Sequence, residues 1–356
     1  MRPPSPATPI VSIVPRRRLS RSARSRRRTL RHLLIAGATI AVLVLLSVFL
    51  PYGSGGRAVT VRSGMSVLDI GRALSVEDIV MNRWVFALAA RISGAAPRLQ
   101  PGVYRFPHGM SAFEIAGHIA AGRFIVEYRV TIPEGSTLRQ IATILRRTLG
   151  TDSAAFMQAC SSRRLLRELG ITARTAEGYL MPDTYLFRPD TPPENIIRRL
   201  HATLRAALTR ELMQRMKQRG QTLHEVLTMA SLVDGETSLA EERARVAGVY
   251  YNRLHRGMML QADPTVQYII PDGPRRLFYR DLAIRSPYNT YRVHGLPPGP
   301  INNPGRAAIR AALYPEAHSF LYFVANGRGG HTFTRTGAEH LRAVAEYRRI
   351  RDGGRR

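Results

Sequence analysis

One carboxylate, Glu236, is the best candidate in this sequence for a residue that does chemistry. It lies within residues 228–265, between two stretches with the apolar spacing of helices. A carboxylic acid at the end of a buried helix loses part of its hydration, and this raises its pKa. A rise of about two pH units corresponds to about 2.7 kcal/mol and brings the group near neutrality. Such an acid can protonate a glycosidic oxygen. The alternative is that Glu236 caps a helix or pairs with an arginine.

Two capped helices are predicted on either side of Glu236. Patterns typical of a capping box begin at Thr222 and at Ser238, each with a glutamate three residues later. Gly235 is predicted to end the first helix, and the second is predicted to end near His255. Glu236 is therefore expected in the gap between the helices.

The composition indicates a folded protein and does not favour a nucleic-acid partner. The 356 residues carry a formal charge of +28, and 44% of them are hydrophobic. Residues 1–32 hold ten arginines and no acid, and 52 of the 53 basic residues are arginine. This reflects a compositional bias and a basic tail, so we expect no nucleic-acid binding. The single cysteine, Cys160, excludes an internal disulfide and a multi-cysteine metal site. His331 lacks metal-ligand spacing to another histidine, and we expect no metal and no cofactor.

A membrane helix is predicted near the N-terminus. Residues 33–50 are uncharged and mainly apolar, which is about the minimum length that spans a bilayer. Arginines lie on the N-terminal side only, so the tail of residues 1–32 should stay in the cytoplasm and the body should be exported. The alternative is a cleaved signal peptide, since residues 25–31 approximate a twin-arginine signal. The glycine-rich segment that ends at Gly56 is predicted to be a linker.

A short unit occurs three times, in residues 59–74, 103–120 and 128–145. Each copy has an extended segment, a glycine that permits a turn, a hydroxyl residue that caps a helix, and an acid or amide that completes the capping box. In order, the copies contain Gly64, Ser66, Asp69 and Ile70; Gly109, Ser111, Glu114 and Ile115; and Gly135, Thr137, Gln140 and Ile141. The pattern resembles the opening of a LysM module, a small fold that binds glycans rich in N-acetylglucosamine. The alternative is a plain scaffold.

Irregular loops follow these repeats. Residues 176–187 contain paired aromatics, which form either a tyrosine-lined surface for sugar rings or packing that pins a loop. Residues 286–291 and 295–305 are dense in Pro, Gly, Asn and Tyr, and functional sites usually form on such loops. Asn303 is also predicted to cap the helix of residues 307–313.

Further helices and one hairpin complete a mixed α+β fold. Residues 190–219 are predicted to form one arginine-rich amphipathic helix. Asp263 is predicted to cap a helix that begins with a proline. Strands are predicted at residues 320–325 and 331–334. Thr336, with a glutamate three residues later, is predicted to open the last helix.

Ordered motifs along residues 30–350 resemble the endolytic murein transglycosylases, or YceG-like proteins. These are single-pass envelope enzymes that cut the glycan strands of peptidoglycan. The motifs are E-G-Y-L-M-P-D-T-Y at 177–185, A-S-L-V-D-G-E-T with E-R and Y-N-R-L within 230–254, L-Q-A-D-P-T-V-Q-Y at 260–268, S-P-Y-N-T-Y at 286–291, G-L-P-P-G-P-I-N-N-P-G at 295–305 and F-V-A-N-G-R-G-G-H-T-F at 323–333.

The resemblance implies a domain order and a location. Residues 1–32 are expected to be a cytoplasmic tail, 33–50 the transmembrane helix, 57–125 a LysM-like domain and 126–350 the catalytic domain. The protein is expected in the cell inner membrane, with its catalytic domain in the periplasm. Its expected partners are glycan strands, the membrane and peptidoglycan synthases (penicillin-binding proteins).

The resemblance also implies the site residues. Glu236 is expected to be the catalytic acid. Family members often have E-x-E where this chain has Asp234-Gly235-Glu236, so the role is assigned to the intact second position. Glu242 is the other acidic candidate, but it is predicted to pair with Arg245 along a helix. The residues expected to hold the sugars are Gln261, Asp263, Thr265, Tyr288, Asn289, Asn303, Glu177 and Tyr179.

The expected reaction is cleavage of the bond between N-acetylmuramic acid and N-acetylglucosamine within a strand, leaving a 1,6-anhydro end. The expected effect is to terminate the elongation of nascent strands. One alternative is a muramidase, which uses water at the same site. The other is a scaffold that binds peptidoglycan without turnover.

Overall fold

The structure, a computed structural model, describes residues 21–353 except Ser54, Asp190, Asp272 and Pro274. Most of the predicted basic tail therefore lies outside the described residues. Two compact units make up the chain, Met1–Val126 and Glu127–Arg356. Each unit has its own hydrophobic core.

The N-terminal unit begins with the helix α1, Arg21–Phe49. Its segment Arg28–Phe49 is long and apolar enough to cross a membrane, in agreement with the predicted apolar run. Most of its side chains are exposed, but the last turn is packed against protein. Val48 is fully buried, and the ring of Phe49 lies 5.1 Å from that of Phe113.

Short strands and three helices form the rest of this unit. They are β1 (Pro51–Tyr52), β2 (Ala58–Val61), α2 (Val67–Val76), α3 (Arg83–Ile92), β3 (Gly102–Arg105), β4 (Met110–Ser111) and α4 (Ala112–Ala120). β1 pairs with β4 and β2 with β3, both antiparallel. The core between the strands and helices includes the buried side chains of Leu74, Phe86, Tyr104 and Ile115.

The second unit contains eleven further helices and four strands among its described residues. They are β5 (Tyr128–Thr131), α5 (Leu138–Leu149), α6 (Ser153–Cys160), α7 (Arg163–Glu168), β6 (Thr184–Phe187), α8 (Pro193–Ala207), α9 (Arg210–Gln218), α10 (Leu223–Glu236), α11 (Ala240–His255), α12 (Asp263–Ile269), α13 (Tyr279–Leu282), α14 (Arg306–Leu313), β7 (Tyr322–Ala325), β8 (His331–Thr334) and α15 (Gly337–Gly353). β5 pairs with β6 and β7 with β8, again antiparallel. α10 lies in the centre, because every residue from Val226 to Val233 is buried.

The predicted strand–turn–helix repeats are confirmed as local structure. All three helices, α2, α4 and α5, begin with a complete capping box. The turn glycines have positive φ values, as a glycine turn requires. The three isoleucines are buried. The third copy belongs to the second unit, where α5 packs against α6 and β5.

Other local predictions have mixed outcomes. The prediction of one helix over residues 190–219 is wrong, because α8 ends at Ala207. Thr209 then accepts a hydrogen bond from the backbone N–H of Leu212 and caps α9. The final hairpin and the capping box at Thr336 are confirmed. Cys160 is buried as predicted.

Candidate active site

Glu236 is the last residue of α10. The prediction that Gly235 ends this helix is wrong. The reason for a glycine here is packing, since a Cβ atom would lie 2.8 Å from the Cβ of Pro264 in α12. The missing side chain therefore lets α12 approach the end of α10. The helix stops after Glu236 because the next residue, the C-cap Thr237, has an extended backbone.

The turn after Glu236 differs from the predicted second capping box. Ser238 does not cap α11, which has Leu239 at its N-cap and no capping side chain. Instead, the hydroxyl of Thr237 accepts a hydrogen bond from the backbone N–H of Leu239 at 3.1 Å. This side chain fixes the tight connection between α10 and α11, and so the direction in which Glu236 leaves the helix.

The carboxyl group of Glu236 is half-buried and has one strong partner. The hydroxyl of Tyr250 donates to its Oε1 at 2.5 Å. Burial, assisted by the negative charge of Asp263, raises the pKa of Glu236 to about 7. The hydrogen bond from Tyr250 and the positive charge of Arg253 act in the opposite direction. At neutral pH this carboxyl group is therefore poised between its protonated and ionised forms.

The two residues that lower the pKa of Glu236, Tyr250 and Arg253, both lie in α11. Tyr250 is buried, and its ring packs edge-on against Phe323 of β7 at 6.0 Å. Arg253, also buried, donates to the carbonyl oxygens of Leu260 at 2.7 Å and Leu321 at 2.6 Å. These backbone contacts hold the guanidinium in place, and no carboxylate of the described residues forms an ion pair with it. Its positive charge therefore remains directed at the site.

Asp263 lies in the wall of a cleft in the same unit. Tyr291 donates a hydrogen bond to its Oδ1 at 2.5 Å. The prediction that Asp263 caps α12 is wrong, since Ala262 is the N-cap and Asp263 is the first helical residue. The cleft has a volume of about 890 Å³. It is lined by Asp263, Arg276, Leu277, Phe278, Tyr279, Arg280, Leu282, Tyr291, Val344 and Arg348.

The first acid of the D-G-E motif has a different environment. The side chain of Asp234 is only 3% exposed and lies 3.3 Å from the guanidinium of Arg243. The same guanidinium lies 3.1 Å from Glu134. Burial raises the pKa of Asp234 to about 6, and the charge of Arg243 opposes this rise. Asp234 is thus part of a buried ion pair that joins α10 to α11.

Glu242 forms contacts other than the predicted one. Arg245 pairs with Glu316 at 3.1 Å, so the predicted pair of Glu242 with Arg245 is wrong. Glu242 accepts from the backbone N–H of His331 at 2.8 Å, and its Oε2 lies 2.6 Å from the imidazole Nδ1. Thr237 donates to the same carboxylate at 3.4 Å. Glu242 thereby fixes the hairpin of β7 and β8 to the turn that follows Glu236.

The residues expected to hold sugars fall into two groups. Gln261 and Asp263 are exposed and Tyr288 is half-buried. Gln261 also has a left-handed backbone, with φ 50, and such strained positions cluster at functional sites. The other five are buried and make hydrogen bonds within the protein: Thr265, Asn289, Asn303, Glu177 and Tyr179. Thr265 and Asn289 shape the loops from inside, through bonds to Thr290 and to two carbonyl groups.

Asn303 and Glu177 form a buried hydrogen-bond cluster. Asn303 accepts from the backbone N–H groups of Gly178 at 2.9 Å and Leu180 at 3.0 Å, and donates to Glu177 at 3.0 Å. Glu177 also accepts from the first N–H of α5, and burial raises its pKa to about 8. The prediction that Asn303 caps α14 is wrong, because Gly305 is the N-cap and no side chain caps that helix.

Tyr179 decides between the two interpretations of residues 176–187. It is only 3% exposed, and its hydroxyl lies 2.9 Å from His224. Tyr185 is buried too, and lies in β6. The aromatics pin this segment to the core, so the alternative of a tyrosine-lined surface is wrong.

Replacement of Asn303 is expected to destabilise this unit. Asn303→Ala leaves the buried N–H groups of Gly178 and Leu180 without partners, at a cost of about 1–3 kcal/mol each. We expect the free energy of unfolding to fall by about 3 kcal/mol, measured by chemical denaturation in detergent. Asn195→Ala is the control, because Asn195 is exposed and should cost no more than about 0.5 kcal/mol. Equal losses in the two variants would contradict the role of Asn303.

Sequence reasoning did not single out Tyr250, Arg253, Tyr291 or Arg243. Each of them lies within or beside a motif quoted above, but the motif does not show which residue its side chain contacts. Tyr291 is 28 residues from Asp263, and Tyr250 is 14 residues from Glu236. Such pairs follow from the packing of α11, α12 and the loops, which local spacing does not determine.

Fold and site together define the class of protein. It is a mixed α+β protein with one apolar N-terminal helix and a half-buried carboxyl group poised near neutrality. The sequence model of the YceG-like family matches residues 59–346, and the chain belongs to that family.

Similar proteins carry a consistent name. The endolytic murein transglycosylase of Bacillus subtilis (strain 168) is 33% identical over 304 residues, which cover 81% of this chain and 84% of the relative. The endolytic murein transglycosylase of Streptococcus pneumoniae (strain D39) is 30% identical over 349 residues, 88% of this chain and 63% of the relative. The chain therefore spans less than two thirds of the pneumococcal protein. The crystal structure of a yceG-like protein from Listeria monocytogenes is similar with a TM-score of 0.58 and 30% identity, over 81% of this chain and 98% of that one.

Proposed function

We propose that this protein is an endolytic lytic transglycosylase of peptidoglycan, a lyase that cuts inside glycan strands. Two relatives named endolytic murein transglycosylase support the activity. One observation assigns this activity to Glu236: its carboxyl group has a pKa raised to about 7 and accepts a short hydrogen bond from Tyr250. An acid with this pKa can give and take a proton at neutral pH.

Glu236 acts twice in the proposed reaction. Its proton goes to the glycosidic oxygen, which leaves as the 4-hydroxyl of N-acetylglucosamine. The ionised carboxylate then takes the proton of the muramyl 6-hydroxyl while O6 attacks the anomeric carbon. A 1,6-anhydro ring closes, the glycosidic bond breaks, and no water is consumed. Ordinary glycosidases need two carboxylates. Here the substrate's own 6-hydroxyl is the nucleophile, so a single carboxyl group can carry out both proton transfers.

The contacts around Glu236 favour these two roles. Tyr250 directs Oε1, while Asp263 and Arg253 hold opposite charges near the carboxyl group. We assign Gln261, Asp263 and Tyr288 to sugar contact, because they are exposed or half-buried. We assign Thr265, Asn289, Asn303, Glu177 and Tyr179 to the support of the sugar-binding loops rather than to direct contact.

Asp263 favours one second candidate, a muramidase. Its carboxylate lies close enough to Glu236 to raise that residue's pKa, and a second carboxylate is what a hydrolase uses to activate water. Mass spectrometry of the products from purified glycan strands separates the two reactions. Anhydro ends are lighter than reducing ends by the mass of one water. Anhydro ends from the wild type are expected, and reducing ends alone would overturn the proposal.

The pH dependence of cleavage tests the environment of Glu236. Glu236 must be protonated to start the reaction, so kcat should fall as the pH rises through its pKa of about 7. Tyr250→Phe removes a contact that lowers this pKa, so the alkaline limb should move to higher pH. Asp263→Asn removes a charge that raises it, so the limb should move to lower pH. Shifts of both variants in the same direction would contradict the assignment.

We assign the protein to the cell inner membrane as a single-pass protein with a cytoplasmic N-terminus. The apolar segment of α1 supports anchoring, and the arginines before it favour this orientation. The body would then be periplasmic. We assign residues 57–125 to a LysM-like module that contacts glycan and residues 126–350 to the catalytic domain. Peptidoglycan synthases are the proposed partners, and termination of nascent strands is the proposed effect.

A further inference from the structure

Two large apolar side chains of the N-terminal unit, at the start of α3 and just before it, are exposed. Met81 is 47% exposed and Trp84 is 61% exposed. Val85 and Phe86, which follow Trp84 in α3, lie in the core of the unit. The first turn of α3 therefore directs Trp84 outwards. A tryptophan combines a large apolar ring with a polar N–H group, which suits a surface that is apolar on one side and wet on the other.

The segment that carries Met81 is fixed beside the end of α1. The hydroxyl of Tyr52 donates to Oδ1 of Asp78 at 3.0 Å. The backbones also approach closely, since a Cβ atom on Gly53 would lie 2.5 Å from the carbonyl oxygen of Asp78. Residues 51–53 follow α1 after one intervening residue, Leu50. The loop between α2 and α3 therefore lies where the chain leaves the apolar helix.

The last turn of α1 is also fixed to this unit. α1 packs against α3 and α4. Val48 is fully buried there, and Phe49 contacts Phe113. The exposed apolar part of the helix ends where the folded part of the unit begins. A bilayer around α1 would therefore meet the folded part of the unit at the end of this helix, beside the loop that precedes α3.

We infer that the N-terminal unit rests on the bilayer surface, with Met81 and Trp84 inserted into the headgroup region beside the end of α1. This inference rests on the membrane anchoring in the proposed function. Tryptophan is enriched at membrane–water interfaces. The guanidinium of Arg83 lies 5.0 Å from the centre of the Trp84 ring, and arginine pairs strongly with phosphate. The first turn of α3 and the residue before its N-cap thus present two apolar side chains beside a cation.

The composition allows a direct test, because Trp84 is the single tryptophan of the chain. The full chain is reconstituted into vesicles of phosphatidylcholine and phosphatidylglycerol. Tryptophan emission is compared in vesicles with bromine close to the headgroup, bromine deep in the acyl chains, and no bromine. We expect shallow bromine to quench most of the emission and deep bromine to quench less. Trp84→Phe gives the background from tyrosine.

Each other outcome overturns the inference. Emission at long wavelength, unaffected by bromine and quenched by iodide, places Trp84 in water. Emission at short wavelength, unaffected by both bromine and iodide, means that protein covers it. A chain that does not co-sediment with vesicles contradicts the proposed anchoring as well, whereas co-sedimentation without quenching contradicts this inference alone. A nitroxide on Met81→Cys gives a second measure of depth, since Cys160 is buried and should remain unlabelled.

Discussion

Glu236→Gln is expected to abolish strand cleavage while the protein remains folded. A positioned acid or base contributes about 10²–10⁴ in rate, and Glu236 serves as both in the proposed reaction. We therefore expect kcat to fall by about a thousandfold or more. Glutamine keeps the shape of the side chain and can still accept the hydrogen bond from Tyr250. The measurement is the release of anhydro-muropeptides from purified strands, together with thermal unfolding.

The matched control is the other acid of the same motif. Asp234→Asn also replaces a carboxyl group by an amide, but this side chain is in a buried ion pair with Arg243. It should lower stability and retain chemistry, so that kcat of the folded fraction stays close to the wild-type value. Cleavage by Glu236→Gln at the wild-type rate would overturn the assignment of the acid. Binding of strands by both variants, with no cleavage by the wild type, would instead favour a scaffold.

Local features of this fold were predictable because neighbours in the chain determine them. Each capping box needs only a hydroxyl and an acid or amide three residues apart, and all three predicted repeats have one. The final hairpin is equally local. The burial of α10 was also predictable, because its apolar face is visible in the sequence, but Glu236 was expected after the helix and is its last residue.

Contacts over long sequence distances were not predictable. Gly235 resembles a helix stop, but the helix continues to Glu236, and only the approach of Pro264 explains why a glycine stands at this position. Asn303 resembles a cap, but its partner Glu177 lies 126 residues away. A proline-rich, polar loop is normally on the surface. Here the buried side-chain amide of Asn303 accepts hydrogen bonds from the backbone of Gly178 and Leu180. The spacing of residues within the loop does not reveal these distant partners.

Arg243→Met is expected to lower the free energy of unfolding by about 3 kcal/mol at pH 8. Removing one partner of a buried ion pair leaves the other charge without compensation, which costs about 3–5 kcal/mol. Asp234 is nearly buried, and its Oδ2 has no hydrogen-bond partner in the described part of the chain. Methionine fills the volume but brings no charge. Denaturant unfolding in detergent measures the loss.

The loss should depend on pH, because Asp234 can be neutralised. Burial raises its folded pKa from 3.8 to about 6, so its ionisation reduces stability as the pH rises through this range. Without Arg243 the folded pKa rises further, and the penalty for the ionised form grows. At pH 5 the carboxyl group is mainly protonated in the folded state, and the variant should lose less stability than at pH 8.

Arg245→Met is the matched control for Arg243→Met. It lies two residues further along α11, but its pair with Glu316 is more than one third exposed on both sides. Such a pair is worth about 0–1 kcal/mol, and its loss should not differ between pH 5 and pH 8. Equal losses in the two variants would contradict the buried pair. A pH-dependent loss confined to Arg243→Met would assign the first acid of D-G-E to the junction of α10 and α11, and would leave the second acid as the one available for proton transfer.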